Sequence, residues 1–206
     1  MELTEEKREL RRLALARRGA LDAPGRAAAE LALCRLLAAL PELREARTVL
    51  GYAAVGSECD LAALYGTLAE RGVTLAFPVC GEGGQMEAFV PAGPLIPGRF
   101  SIPEPDPARS RLLAPEELDA VLVPCAAFDG GGGRLGRSGG YYDRYLPRCP
   151  RAKAILTAFE AQRLDRVPRA SHDLGFSVLV TEAGVFRKKY ATGLFRSDNT
   201  EKTGNA

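Results

Sequence analysis

The sequence predicts an α/β protein: one three-layer domain with a central, mostly parallel sheet flanked by helices. Three observations carry that expectation. Apolar runs of strand length (47–54, 73–79, 119–124, 152–159) alternate with stretches of helical periodicity. The first of these runs is short and apolar enough to lie in the middle of a sheet. A glycine-rich stretch then follows directly on the apolar run Ala120–Val123. Ligands in open α/β sheets bind outside the carboxyl ends of the strands, where such a loop belongs.

At 206 residues, 46% hydrophobic and 26% charged, the chain can bury a substantial core. A formal charge of +2 creates no strong field, so neither nucleic acid nor membrane is expected as a partner. Five dispersed cysteines (34, 59, 80, 125, 149), no Cys-x-x-Cys pair and a single histidine argue against a zinc site and against a secreted disulfide framework. The N-terminal residues are charged and helical rather than signal-like, and no apolar run reaches membrane-spanning length. The expected location is the cytoplasm, and the expected organisation is a domain over 1–186 with a polar, disordered tail over 187–206, as a monomer or weak homodimer.

The first helix is expected over 4–18, with Thr4 as N-cap and Glu5 and Glu6 in the first turn, where they complement the dipole. Leu3, Leu10, Leu13 and Ala14 share one face; Lys7 lies at its edge, with Arg11 one turn on. These two cations read either as a solvated face or as reaching along the apolar surface to an anion. Asp22 and Pro24 signal the start of a second helix, whose Ala/Leu repeat runs over 26–40. After the first strand, Val55–Asp60 places Glu58 at a strand's carboxyl end, where it can take hydrogen bonds from a ligand or cap the helix over 61–71. Strands at 73–79 and 86–90 follow, joined by a turn at Gly81–Gly84; Met86 and Phe89 read as core residues. The Pro/Gly-rich stretch 91–107 is a loop. Beyond the glycine-rich segment and the 152–159 strand come a short helix or turn over 163–169, a polar loop containing His172, and a strand over 176–181.

Residues 124–147 hold seven glycines, three arginines, two carboxylates and three tyrosines. Glycines let backbone N–H groups approach a ligand closely, and a loop of this kind feeding a helix makes an anion site. Arg134 and Arg137 add positive charge, and Asp143 adds a hard oxygen ligand suited to Mg²⁺. Tyr141–Leu146 reads as helix, which weighs against a flexible linker. No Walker-type Gly-x₄-Gly-Lys-Ser/Thr, no dinucleotide fingerprint at the first strand and no nucleophile elbow occurs. What remains is charge stabilisation around transferring phosphate.

The run Phe128-Asp129, then Gly133-Arg134-Leu135-Gly136-Arg137-Ser138-Gly139-Gly140-Tyr141-Tyr142-Asp143-Arg144-Tyr145-Leu146, resembles the signature of the 5-formyltetrahydrofolate cyclo-ligase family. Lys7 to Arg11, Tyr52 to Asp60, Met86 with Phe89, Phe100 to Pro105, and His172-Asp173 to Glu182 resemble other segments of that family in the same order. The resemblance implies ATP- and Mg²⁺-dependent closure of 5-formyltetrahydrofolate, possessing its own attacking nitrogen, to 5,10-methenyltetrahydrofolate through a phosphorylated formyl group. It also implies residue roles. Lys7, Arg134 and Arg137 would act on the transferring phosphate. Lys7, Arg8 and Arg11, with the segment Arg134, Leu135, Gly136, Arg137, Ser138, Gly139, Gly140, Tyr141 and Tyr142, would hold ATP. Ala53, Glu58, Met86, Phe89, Phe100 and Tyr141 would line the folate side, and Asp143 and Asp173 would hold the metal. Ser138, Cys125 and Leu61 depart from the family pattern. A phosphosugar isomerase-like enzyme of similar fold and a non-catalytic nucleotide- or folate-binding module remain the competing readings.

Overall fold

The computed structural model describes residues 3–137, 139–170, 173–187 and 194–195. An eight-stranded sheet organises it: β1 (Thr48–Leu50), β2 (Thr74–Cys80), β3 (Met86–Val90), β4 (Arg111–Leu113), β5 (Ala120–Pro124), β6 (Lys153–Thr157), β7 (Val178–Thr181) and β8 (Gly184–Arg187), in spatial order β8-β7-β6-β5-β1-β2-β3-β4. The inner pairs β2-β1, β1-β5, β5-β6 and β6-β7 are parallel, and β8, β3 and β4 join antiparallel at the two sides. The α/β architecture read from the sequence is therefore the one observed.

Alternation along the strands divides the core. Ala120 and Leu122 face one apolar cluster, while Val121 and Val123 face the other. The first is covered by α2 (Ala23–Ala39), α3 (Pro41–Arg44) and α4 (Ala62–Glu70) through Leu33, Leu37, Leu43, Leu64 and Leu68. The second is covered by α5 (Tyr141–Tyr145) and the turn after it, through Tyr145, Leu146 and Cys149. Asp22 caps α2 by accepting from the Gly25 N–H at 2.9 Å, with Pro24 in the first turn.

α1 (Leu3–Gly19) packs elsewhere. Its Leu10 and Ala14 meet Ala127, Leu135, Leu164 and Val167, an apolar cluster on a small three-stranded sheet of Ala127–Asp129, Arg134–Leu135 and Arg163–Leu164. That sheet belongs largely to the glycine-rich segment, so the N-terminal helix is docked on the loop predicted to bind anions. Arg163–Leu164 pairs parallel to Phe128–Asp129, where sequence reading expected a helix or turn over 163–169. The buried Asp129 carboxylate holds this unit together, accepting from Gly133 N–H at 2.8 Å and Val167 N–H at 2.7 Å.

Other departures have local causes. α1 already includes Leu3, so Thr4 lies inside it rather than capping it. The first strand is shorter than 47–54: the Tyr65 hydroxyl accepts from Tyr52 N–H and donates to Tyr52 O (2.9 and 2.8 Å), replacing ladder partners just past Gly51. A Cβ on Gly51 would lie 2.8 Å from that hydroxyl, so glycine is what admits the ring. β4 has no strong periodicity and was not expected. β8 runs through Arg187, whose Nη2 donates to Glu42 at 2.9 Å, past the expected domain end at 186. Of the expected tail, 188–193 and 196–206 lie outside the described residues, as do Ser138 and His172.

Candidate functional site

The chain leaves β1 towards β2 on one side and β5 towards β6 on the other, so a crevice opens between the carboxyl ends of β1 and β5. A cavity of about 850 Å³ lies there, within the usual range for a small-molecule site. It is lined from β1 and its extension (Tyr52, Ala53, Val55, Glu58), from β2 and β3 (Pro78, Cys80, Met86), and from the glycine-rich segment and α1.

One end is cationic. Lys7 and Arg11, a helical turn apart on α1, reach it together with Arg134 from the small sheet. Lys7 Nζ donates to the Asp173 carboxylate, joining the first helix to the segment before β7. Arg11 Nε donates to Gly136 O at 2.8 Å, bracing the glycine-rich segment from α1. Burial lowers the Arg11 pKa, Asp173 opposes that shift, and nearby Arg134 adds to it. Arg134 is 7% exposed; its Nη2 donates to Asp143 Oδ2 at 2.6 Å, and its guanidinium carbon lies 5.4 Å from the Phe176 ring centroid. Its Nε is buried with no hydrogen-bond partner among the described residues. The helix after the glycines, α5, spans only five residues, so the positive potential comes from side chains far more than from a helix dipole.

The two carboxylates at this end are each balanced by a cation. Asp143 also accepts from Leu174 N–H at 3.3 Å, and Asp173 from Ala170 N–H at 2.7 Å, which places both on the rim of one cavity. No group of three or more His, Cys, Asp or Glu side chains forms a metal cage among the described residues. Mg²⁺ rarely needs one: it is commonly held by one or two carboxylates together with phosphate oxygens and water.

Glu58 stands at the β1 wall, 8% exposed. Its Oε2 accepts from Val55 N–H at 3.0 Å, closing the turn that Gly56 (φ +64°) permits, and its Oε1 lies 3.2 Å from Arg137 Nε. Tyr141 and Tyr142 form the adjoining wall, and burial raises the Tyr142 pKa far above its ordinary value. Arg144 fixes the loop by donating to Gly139 O and, at 3.1 Å, to Gly84 O. Phe100 lies at the mouth, 69% exposed, on a turn where it and Ser101 both have positive φ (58° and 57°).

The structure thus brings together Lys7, Arg11, Arg134, Leu135, Gly136, Arg137, Gly139, Gly140, Tyr141, Tyr142, Asp143 and Asp173 with Ala53, Glu58, Met86 and Phe100. Among the described residues, two expected ones do not join them. Arg8 is on the solvent side of α1, where its Nη2 donates to Glu5 at 2.5 Å. Phe89 sits an odd number of residues from Met86 on β3, so the pleat turns it to the opposite face, in register with Phe77. Sequence reasoning missed Glu104 and Arg144 as lining residues. Glu104, 4% exposed, accepts from Cys80 N–H at 3.3 Å, and together with burial it pushes the Cys80 thiol up to about 12. Its sequence signals were its place in the proline-rich loop and in the Phe100 to Pro105 segment that resembles the family.

Comparison with known proteins identifies relatives of this chain. The profile of the 5-formyltetrahydrofolate cyclo-ligase family matches residues 3–182. The 5-formyltetrahydrofolate cyclo-ligase of Mycolicibacterium smegmatis is 34% identical over 143 residues, 66% of this chain and 73% of that protein. The Haemophilus influenzae protein of the same name is 29% identical over 148 residues, 68% of this chain and 79% of that one. The NMR structure of Aquifex aeolicus 5,10-methenyltetrahydrofolate synthetase superposes with a TM-score of 0.77 at 31% identity, covering 95% of this chain and 99% of that chain.

Proposed function

Because the chain belongs to the 5-formyltetrahydrofolate cyclo-ligase family, we propose that its cavity holds MgATP beside 5-formyltetrahydrofolate and closes the folate to 5,10-methenyltetrahydrofolate, releasing ADP and phosphate. The observation that carries this reading is the division of one cavity into a cationic end (Lys7, Arg11, Arg134) and a wall bearing Glu58 and Tyr141.

Lys7, Arg11 and Arg134 bind the triphosphate, and the Arg134 Nε–H, which has no partner among the described residues, supplies a donor already desolvated for a phosphate oxygen. The backbone from Leu135 to Tyr142 lies along the nucleotide. Asp143 and Asp173 would hold the metal, which when bound would supply positive charge to the phosphate oxygens. Glu58 accepts hydrogen bonds from the pterin, whose ring packs against Ala53, Met86, Phe100 and Tyr141. The formyl oxygen then attacks the γ-phosphorus and ADP leaves. N10 of the substrate adds to the activated formyl carbon, and loss of phosphate and of the N10 proton completes the ring. The chain supplies proximity and charge, and no side chain has to form a covalent bond. An isomerase reading would need Glu58 as a free base; here its carboxylate is held by Arg137 and by the Val55 N–H. No helix among the described residues is long and apolar enough to cross a membrane, which is compatible with cytoplasmic folate chemistry.

The test mixes purified protein, MgATP and 5-formyltetrahydrofolate and follows methenyl absorbance with phosphate release. Stoichiometric appearance of both is expected. Tight binding of both ligands without product would leave a binding module, and neither binding nor product would overturn the reading.

A further inference from the structure

Arg18, in the last turn of α1, is 2% exposed, so a guanidinium has been taken out of water although it does not line the cavity. Burying a cation costs several kcal/mol unless it is paired and hydrogen-bonded. Its bonds lead to the site from two directions. Nε donates to Ser57 Oγ at 2.9 Å, one residue before Glu58, and Nη1 reaches Cys125 O at 3.4 Å, at the root of the glycine-rich segment. Arg26 of α2 completes the clasp. Its Nη1 donates to Ser57 O at 2.6 Å and its Nη2 to Arg18 O at 2.9 Å. Ser57 is therefore gripped by one guanidinium at its hydroxyl and by another at its carbonyl.

Electrostatics point the same way. Burial lowers the Arg18 pKa, the attraction of Glu58 is the largest influence opposing that shift, and the repulsion from Arg137 adds to it. Glu58 thus has two cations of different character. Arg137 is 42% exposed on its side chain and can swing to a phosphate, whereas Arg18 is fixed in the core.

We propose that Arg18 is a positioning residue for the folate side of the site: through Ser57 it holds the Val55–Glu58 turn and keeps a fixed positive charge behind Glu58 when Arg137 turns to the nucleotide. The inference rests on the cyclo-ligase reading, and it predicts an asymmetric effect. Losing Arg18 should disturb the ligand that Glu58 meets and spare the one that Lys7, Arg11 and Arg134 meet.

Steady-state kinetics on Arg18→Gln, Arg18→Lys and Ser57→Ala test this. Arg18→Gln is expected to raise KM for 5-formyltetrahydrofolate about tenfold, with KM for MgATP changed less than about twofold; Arg18→Lys should recover part of the loss. Ser57→Ala, which removes only the receiving hydroxyl and leaves the buried arginine in place, should raise the folate KM about threefold even if Arg18→Gln fails to fold. A folate KM unchanged in Ser57→Ala, or both KM values rising together, would overturn the proposal. A wild-type protein that makes no methenyl product would instead overturn the cyclo-ligase reading, so the two failures are distinguishable.

Discussion

Arg134 and Asp143 form an ion pair at 2.6 Å on the rim of the cavity, with the Arg134 Nε–H buried and without a hydrogen-bond partner among the described residues. The two side chains flank residues 135–142 of the glycine-rich segment, so that stretch is closed on itself by charge. An anion entering beside Arg134 competes with Asp143 for the guanidinium, and a cation arriving with that anion gives Asp143 a new partner. A metal–phosphate complex satisfies both at once, which a phosphate or a metal alone does not.

Asp143→Asn should therefore lower kcat for ring closure by at least about a hundredfold, a loss typical of removing a group that holds transition-state charge. The neutral amide still accepts from Arg134, so the circular dichroism spectrum and melting temperature should stay close to wild type. Turnover across a Mg²⁺ titration decides the matter: near-normal activity with unchanged Mg²⁺ dependence would refute the metal role.

Arg11 braces the glycine-rich segment through Gly136 O and also lines the cationic end of the cavity. Arg11→Gln should raise KM for MgATP by about tenfold or more, the scale of one lost charge-assisted contact. Binding of 5-formyltetrahydrofolate measured calorimetrically without nucleotide should be nearly unaffected. Equal weakening of both ligands would mean that the brace organises the whole cavity rather than its phosphate end.

Much of this was legible in the sequence because strand and helix periodicities are local. The five inner strands announced themselves as apolar runs, and the excess of glycine and arginine over 130–140 marked a segment that lines the cavity. Spacing also put Lys7 and Arg11 on one edge of α1, yet only the packing of Leu10 and Ala14 on the small sheet shows why that edge faces the site. That sheet was illegible, since its strands are two or three residues long and pair across the chain. Arg18 carried no signal either, because burial of a cation depends on Ser57 and Cys125, distant in sequence and supplied only by the fold. Phe89 read as a core residue from its setting, and only the family resemblance put it on the folate side; the pleat turns it away from the cavity.

Phe100 adopts the left-handed conformation (φ 58°, ψ 26°), which costs a bulky residue on the order of 1 kcal/mol, and its ring is mostly exposed, so packing repays little. Phe100→Asn tolerates that conformation better. It should raise the melting temperature by about 2–4 °C, the shift that about 1 kcal/mol produces in a chain of this size. If the ring closes over the pterin, the same variant should raise the folate KM severalfold. A lower melting temperature would show that the ring packs more tightly than its exposure indicates.

Stability should fall on the alkaline side sooner than the tyrosines alone would require. Burial is the leading cause of the upward shift at all five cysteines, and it carries Cys125 and Cys149 from 9.0 to about 12. Below pH 9 these thiols are protonated in folded and unfolded chains alike, and the stabilisation is complete. Between pH 9 and 12 the unfolded chain releases protons that the folded chain retains, so unfolding is favoured increasingly as pH rises. For each fully buried thiol the limiting slope is about 1.4 kcal/mol per pH unit. Tyr52, Tyr65, Tyr142 and Tyr145, also shifted upward by burial, add to the decline only above their ordinary 10.0. Urea midpoints measured between pH 8 and 10 separate the two sets: a progressive drop is expected in the wild type, and a shallower one in Cys125→Ala/Cys149→Ala. A flat wild-type profile over that range would mean that the thiols reach water in the native state, and rapid labelling by a thiol reagent at pH 8 would then accompany it.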